Sequence, residues 1–116
     1  MSEYVEFLKE VFQQFGPIQL RRMFGGYGLF HKGLMFGVVA EDVLYLKADE
    51  RLSPFFEERE LNQFQYQKRG KTYKLSYYMA PEEIFDDPVE AKGWAARAYE
   101  AAVRSKKPVK KSKKKT

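Results

Sequence analysis

Between residues 18 and 48 the chain passes through four short apolar stretches, 18–24, 27–31, 34–40 and 43–48. The later ones are joined by links as brief as His31-Lys32-Gly33 and Ala40-Glu41-Asp42. A parallel crossover needs a dozen or more residues, so links this short make the neighbouring strands antiparallel. This meander restricts the fold more than any other feature. A second hairpin is expected further on, with strands at about 64–68 and 71–79 flanking Arg69-Gly70. Its second strand alternates Tyr73, Leu75, Tyr77 and Met79 against Thr72, Lys74, Ser76 and Tyr78. One packed face and one wetter face follow, with Tyr77 inward and Tyr78 outward.

Helices bracket these strands. Tyr4, Val5, Leu8, Val11, Phe12 and Phe15 recur at helical spacing, predicting a helix over 3–15 with Ser2 as its N-cap and Gly16-Pro17 as its stop. Ser53-Pro54 supplies a cap and first residue for a short helix to about Leu61. Asp87-Pro88-Val89-Glu90 has the order of a capping box, and Ala91, Trp94, Ala95, Ala98, Tyr99 and Ala102 then form an apolar stripe. The alanines would let this last helix sit close to the sheet, with Trp94 as its bulky structural anchor. The fold class is therefore α+β. Two layers are expected: an antiparallel sheet of about six strands with the N- and C-terminal helices on one face.

At 116 residues the chain holds one core, expected to be ordered because aromatics make up 16% of it. With no cysteine, a disulfide framework, thiolate metal ligands and a cysteine nucleophile are excluded. Residues 1–15 carry Glu3, Glu6, Lys9 and Glu10 among the apolar positions, unlike a signal peptide, and no stretch has the length of a membrane span. A cytoplasmic protein is expected. The net charge of +5 is unevenly placed: residues 1–104 carry 14 Lys and Arg against 16 Asp and Glu. Residues 105–116 form a lysine-rich tail, with Lys106, Lys107, Lys110, Lys111, Lys113, Lys114 and Lys115 and no acid. Such a tail should be disordered, and its lysines are candidates for weak, sequence-independent attraction to nucleic acid.

Few residues suggest chemistry. The single histidine, His31, falls at an expected turn, and no serine lies in a G-x-S-x-G context. No catalytic residue, metal ligand or cofactor is expected. Glu82, Glu83, Asp86 and Asp87 are clustered, but they suit a helix start and lack EF-hand spacing. Gly25, Gly26 and Gly28 do not match either phosphate-loop pattern, and they lead into a strand, not a helix. They are read as structural, marking a bend or a close backbone approach. Arg22 shares strand parity with Ile18 and Leu20, so it should face the apolar side and need an internal partner, whereas Arg21 points away. Tyr27, Tyr77 and Tyr78 suit packing better than a base-stacking platform.

The run Arg21-Arg22-Met23-Phe24-Gly25-Gly26-Tyr27-Gly28-Leu29-Phe30, with Gly33-Leu34-Met35-Phe36-Gly37 and Leu44-Tyr45-Leu46-Lys47, closely resembles the TfoX/Sxy N-terminal domain family. Tyr66, Ser76-Tyr77-Tyr78 and Trp94-Ala95 fit the same pattern, so the likeness covers roughly residues 3–104. It implies helices over one antiparallel sheet, similar to secretion-chaperone-like domains. It also implies a regulator of natural competence that co-activates transcription beside a cyclic-AMP receptor protein. Longer members continue into a helical C-terminal domain, so this chain is expected to be a single-domain short form. The functional expectation is a non-enzymatic regulatory or adaptor domain over 1–104. It would contact a protein partner, such as a transcription factor, through Arg21, Tyr27 and Tyr78, with the tail adding DNA attraction. The alternative is a small-ligand-binding domain or enzyme with a pocket near the Gly25-Gly26 bend. Exposed strand edges add the expectation of a homodimer.

Overall fold

A computed structural model describes residues 3–23 and 25–106. Helix α1 (Glu3–Val11) is followed by strands β1 (Gln19–Met23), β2 (Gly26–His31), β3 (Leu34–Ala40) and β4 (Val43–Lys47). Helix α2 (Ser53–Glu58), strands β5 (Gln63–Lys68) and β6 (Lys71–Met79), a 3-10 turn at Glu82–Phe85 and helix α3 (Pro88–Ser105) complete the chain order. One six-stranded antiparallel sheet results, in the order β1-β2-β3-β4-β6-β5. The α+β class read from the sequence is the class observed. Three hairpins turn on two residues of left-handed backbone each: Lys32-Gly33, Glu41-Asp42 and Arg69-Gly70. Such turns match the right-handed twist of the strands they join.

The core lies between the sheet and the helices. Val5, Leu8 and Phe12, with Ala91, Trp94, Ala95, Ala98 and Ala101, meet Leu29, Phe36, Val39, Leu44, Leu46 and Tyr78. The Asp87 side chain caps α3 by accepting from the N–H groups of Val89 at 3.0 Å and Glu90 at 3.3 Å. The reciprocal half of the expected capping box is replaced, because the Asp87 N–H donates to the Glu83 carbonyl at 3.1 Å. Trp94 is buried against Phe56, with ring centroids 5.1 Å apart. The guanidinium groups of Arg59 and Arg97 lie over its ring at 5.5 Å and 5.3 Å.

Several expectations need correction. Helix α1 ends at Val11, and residues 12–15 tighten into a turn in which Phe15 and Gly16 both donate to the Phe12 carbonyl. The proposed Ser2 cap and Phe24 lie outside the described residues, as do Lys107, Lys110, Lys111, Lys113, Lys114 and Lys115 of the tail. Ser53 and Pro54 are the first residues of α2, with Leu52 at the cap position. His31 ends β2 instead of sitting in a turn. Its ring packs at 4.4 Å from Phe15 and 5.0 Å from Tyr99, and its Nδ1 lies 2.8 Å from the Pro17 carbonyl. The histidine thus ties the turn after α1 to β2 and α3. No helix among the described residues is long and apolar enough to cross a membrane.

Candidate functional site: the uncovered face of the sheet

Strand register places the side chains opposite the helix layer. Arg21 pairs with Gly28, Gly28 with Val38, Val38 with Tyr45, and Tyr45 with Met79. Because Leu44 and Leu46 face the core, Tyr45 and its row face the other way. Phe30 and Met35 pair on the same side, and Tyr77 opposite Lys47 extends the row toward β5. Phe64 joins it through a ring contact with Tyr45 at 4.8 Å. The result is an apolar face spanning the sheet, with none of the described helices above it.

The side chains on this face shelter one another. Val38 is 8% exposed and Tyr77 9%, although neither belongs to the helix-side core. The Arg21 guanidinium lies 4.7 Å from the Phe30 ring centroid, and the Lys47 ammonium 5.1 Å from that of Tyr77. Long cationic side chains therefore act as lids over aromatic rings, keeping their charged ends near water. Burial pushes the Tyr77 hydroxyl up to about 12. Partial desolvation lowers the Lys47 ammonium, opposed by the charge of Asp49.

The glycines belong to this surface and to its seam. A Cβ on Gly26 would stand 2.0 Å from the Val39 carbonyl oxygen, so the β2 backbone is pressed directly onto β3 there. A Cβ on Gly28 would meet Met23 Sδ at 2.6 Å, Met35 Sδ at 2.9 Å and Phe30 Cε1 at 2.9 Å. The bare backbone at Gly28 is thus the floor on which two methionine ends rest. Gly25 has open space around it and a φ of 76°, the conformation that turns β1 into β2.

The residues singled out in the sequence do not form one surface. Arg21 is on the uncovered face, but Tyr27 is half-buried on the helix side and packs against the core. Tyr78 is buried, not outward: its ring stacks on Phe56 at 5.3 Å and its hydroxyl donates to Glu57 at 2.7 Å. Desolvation, with the Glu57 carboxylate beside it, raises the Tyr78 hydroxyl above its ordinary value. The parity of β6 was therefore inverted, because both of its faces carry aromatics. Arg22 has the expected parity but lies exposed on the edge strand, and among the described residues no helix covers it and it makes no ion pair. Lys47, Met23, Met35, Tyr45, Phe64 and Met79 were missed. For Met35, Tyr45 and Lys47 the signal was present in the stretches 34–40 and 43–48, which are apolar at successive positions and so must be apolar on both faces.

Two clefts lie away from the Gly25-Gly26 bend. One, of about 320 Å³, is shallow and bordered by Asp49, Ser53, Ser76 and Ser105; the other lies between α1 and the 3-10 turn, beside Phe7 and Phe85. Asp49 is already engaged, since it receives Arg104 Nε at 2.5 Å and also accepts from the Arg51 and Leu52 N–H groups at 3.1 Å. These contacts, the Arg104 guanidinium foremost, hold its carboxyl down at about 2.

The profile of the TfoX N-terminal domain family matches residues 10–102. Protein Sxy of Escherichia coli is 26% identical over 98 residues, covering 84% of this chain and 47% of that protein. DNA transformation protein TfoX1 of Aliivibrio fischeri is 29% identical over 82 residues, covering 71% of this chain and 39% of that protein. The chain thus spans less than half the length of these curated relatives.

Proposed function

The chain belongs to the TfoX N-terminal domain family, and from that membership we propose that it is a non-enzymatic regulatory domain for DNA-transformation genes. It works by contacting a protein partner in transcription through the uncovered face of its sheet. The observation that carries this reading is the face itself. It holds Met23, Phe30, Met35, Tyr45, Phe64 and Met79 with Arg21 and Lys47 laid across it, and none of the described helices covers it. Methionine and aromatic side chains beside an arginine are the residue types enriched where proteins meet, and methionine adapts its shape to a partner. The lysine tail adds a sequence-independent attraction to DNA that keeps the complex near its promoter.

The test uses a reporter for DNA-uptake genes in cells whose own copy is replaced by the double variant Arg21→Glu, Met35→Lys. The variant should lose reporter induction while the purified protein melts as the wild type does. Full induction by the folded double variant would show that the face is not the contact.

A further inference from the structure

The mild acidity of residues 1–104 conceals a sharp segregation of charge. Residues 62–81, which contain the β5–β6 hairpin, carry Lys68, Arg69, Lys71 and Lys74 and no Asp or Glu. All sixteen acids of the chain lie elsewhere. The hairpin is also set apart in space. Strand β4 pairs with β6 only at Tyr77, Tyr78 and Met79, so among the described residues the earlier part of β6 has β5 as its only strand neighbour. Every residue from 65 to 74 is exposed. At about 3.3 Å per residue, this is a two-stranded ribbon projecting roughly 15 Å beyond the sheet.

A free ribbon is marginal on its own, and this one is held by few devices. Tyr66 and Tyr73 stack across the strands with ring centroids 5.3 Å apart. Arg69 and Gly70, with φ of 53° and 77°, form the tight turn. One pairing works against it: Lys68 stands directly opposite Lys71. Like charges placed this way repel, and a polyanion threaded between them would remove the repulsion. By strand alternation Lys68 and Lys71 lie on one side of the ribbon and Lys74 on the other, with Arg69 at the tip.

We propose that the β5–β6 hairpin is a DNA-binding ribbon that enters the major groove of duplex DNA and neutralises backbone phosphates on both groove walls. The major groove of B-DNA, about 12 Å wide, admits a two-stranded ribbon, whereas the deep, narrow major groove of duplex RNA does not. Cations on both sides and at the tip suit a groove that presents phosphates on two walls. Its cations, Lys68, Arg69, Lys71 and Lys74, all lie in the projecting part of the hairpin, apart from the lysine tail and from the Phe64, Tyr77 and Met79 end that joins the protein-contact face.

The full-length chain is titrated with a fluorescent 20-base-pair DNA duplex over a range of salt concentrations. The ribbon variant is Lys68→Gln, Arg69→Asn, Lys71→Gln, Lys74→Gln, in which Asn-Gly preserves the turn. A charge-matched tail variant carries Lys110→Gln, Lys111→Gln, Lys113→Gln, Lys114→Gln. At about 0.9 per phosphate contact, the ribbon variant should flatten the slope of log K against log salt by about 3 and weaken binding at least tenfold near 0.1 M salt. The tail variant should show less than half that change. If the quadruple variant melts early, the pair Lys68→Gln, Lys71→Gln is used, with about half the slope change expected. Unchanged affinity and slope in the ribbon variant overturn the proposal, as does a loss in the tail variant as large as the ribbon's. Equal or tighter binding of single-stranded DNA or duplex RNA overturns it as well.

Discussion

Replacing Gly26 with alanine separates a structural explanation of the glycine-rich run from a ligand-binding one. The added Cβ would stand 2.0 Å from the Val39 carbonyl oxygen and 3.1 Å from its carbon, well inside contact distance. The obstructing atoms are backbone atoms of a central strand, so no rotamer change relieves the clash. Either β2 lifts from β3 or the pairing of Tyr27 with Val39 is lost. Overpacking a tight site costs about 1–3 kcal/mol, and a backbone collision belongs at the upper end, near 3 kcal/mol. In a domain of this size, each kcal/mol lowers Tm by roughly 4–8 °C, so Gly26→Ala should melt at least about 12 °C below wild type. Gly28→Ala is the internal control. Its Cβ would meet mainly methionine sulfur atoms, which can swing aside, so its loss should be under half that of Gly26→Ala. Thermal unfolding followed by far-UV circular dichroism measures both. A Gly26→Ala protein melting within about 2 °C of wild type, or a larger loss for Gly28→Ala, would refute this account of the seam.

Three other outcomes follow from the structure. Asp49 is held down at about 2 by Arg104 and the backbone N–H groups. A carboxyl with a depressed folded-state value stabilises above its unfolded value near 3.9 and loses that contribution as pH falls toward 2. Melts of wild type and Asp49→Asn should therefore differ at pH 6 and converge at pH 2; a constant gap would refute the assignment. Ultraviolet titration should show a tyrosine with a midpoint about 12, and that transition should vanish in Tyr77→Phe. Arg22→Ala should leave Tm within about 2 °C of wild type, because the side chain is exposed and makes no ion pair among the described residues; a drop above about 5 °C would reveal a buried partner.

Hairpin positions were legible because turn chemistry is local: Lys32-Gly33 and Arg69-Gly70 carry their left-handed backbone wherever the strands go. The α3 cap was legible for the same reason, since Asp87 reaches only its own first turn. The face assignments were not. Alternation along β6 groups Tyr73 with Tyr77 and Lys74 with Tyr78, but it does not say which group meets a helix. The more apolar set turned outward, and Tyr78 turned in toward Phe56 and Glu57. The parity reasoning for Arg22 was sound as geometry and misled as energetics, because burial depends on how far the helix layer reaches.

The sequence by itself determined the element order, the antiparallel meander, the glycine seam and the family, since each depends on neighbours within a few residues or on a contiguous motif. Only the tertiary structure decided which sheet face stayed uncovered, that Arg21 and Lys47 lie across it, and that the β5–β6 hairpin projects beyond the sheet. Those outcomes depend on where α1 and α3 settle and on β4 pairing with only the end of β6. Such contacts join residues far apart in the chain, and no local pattern encodes them.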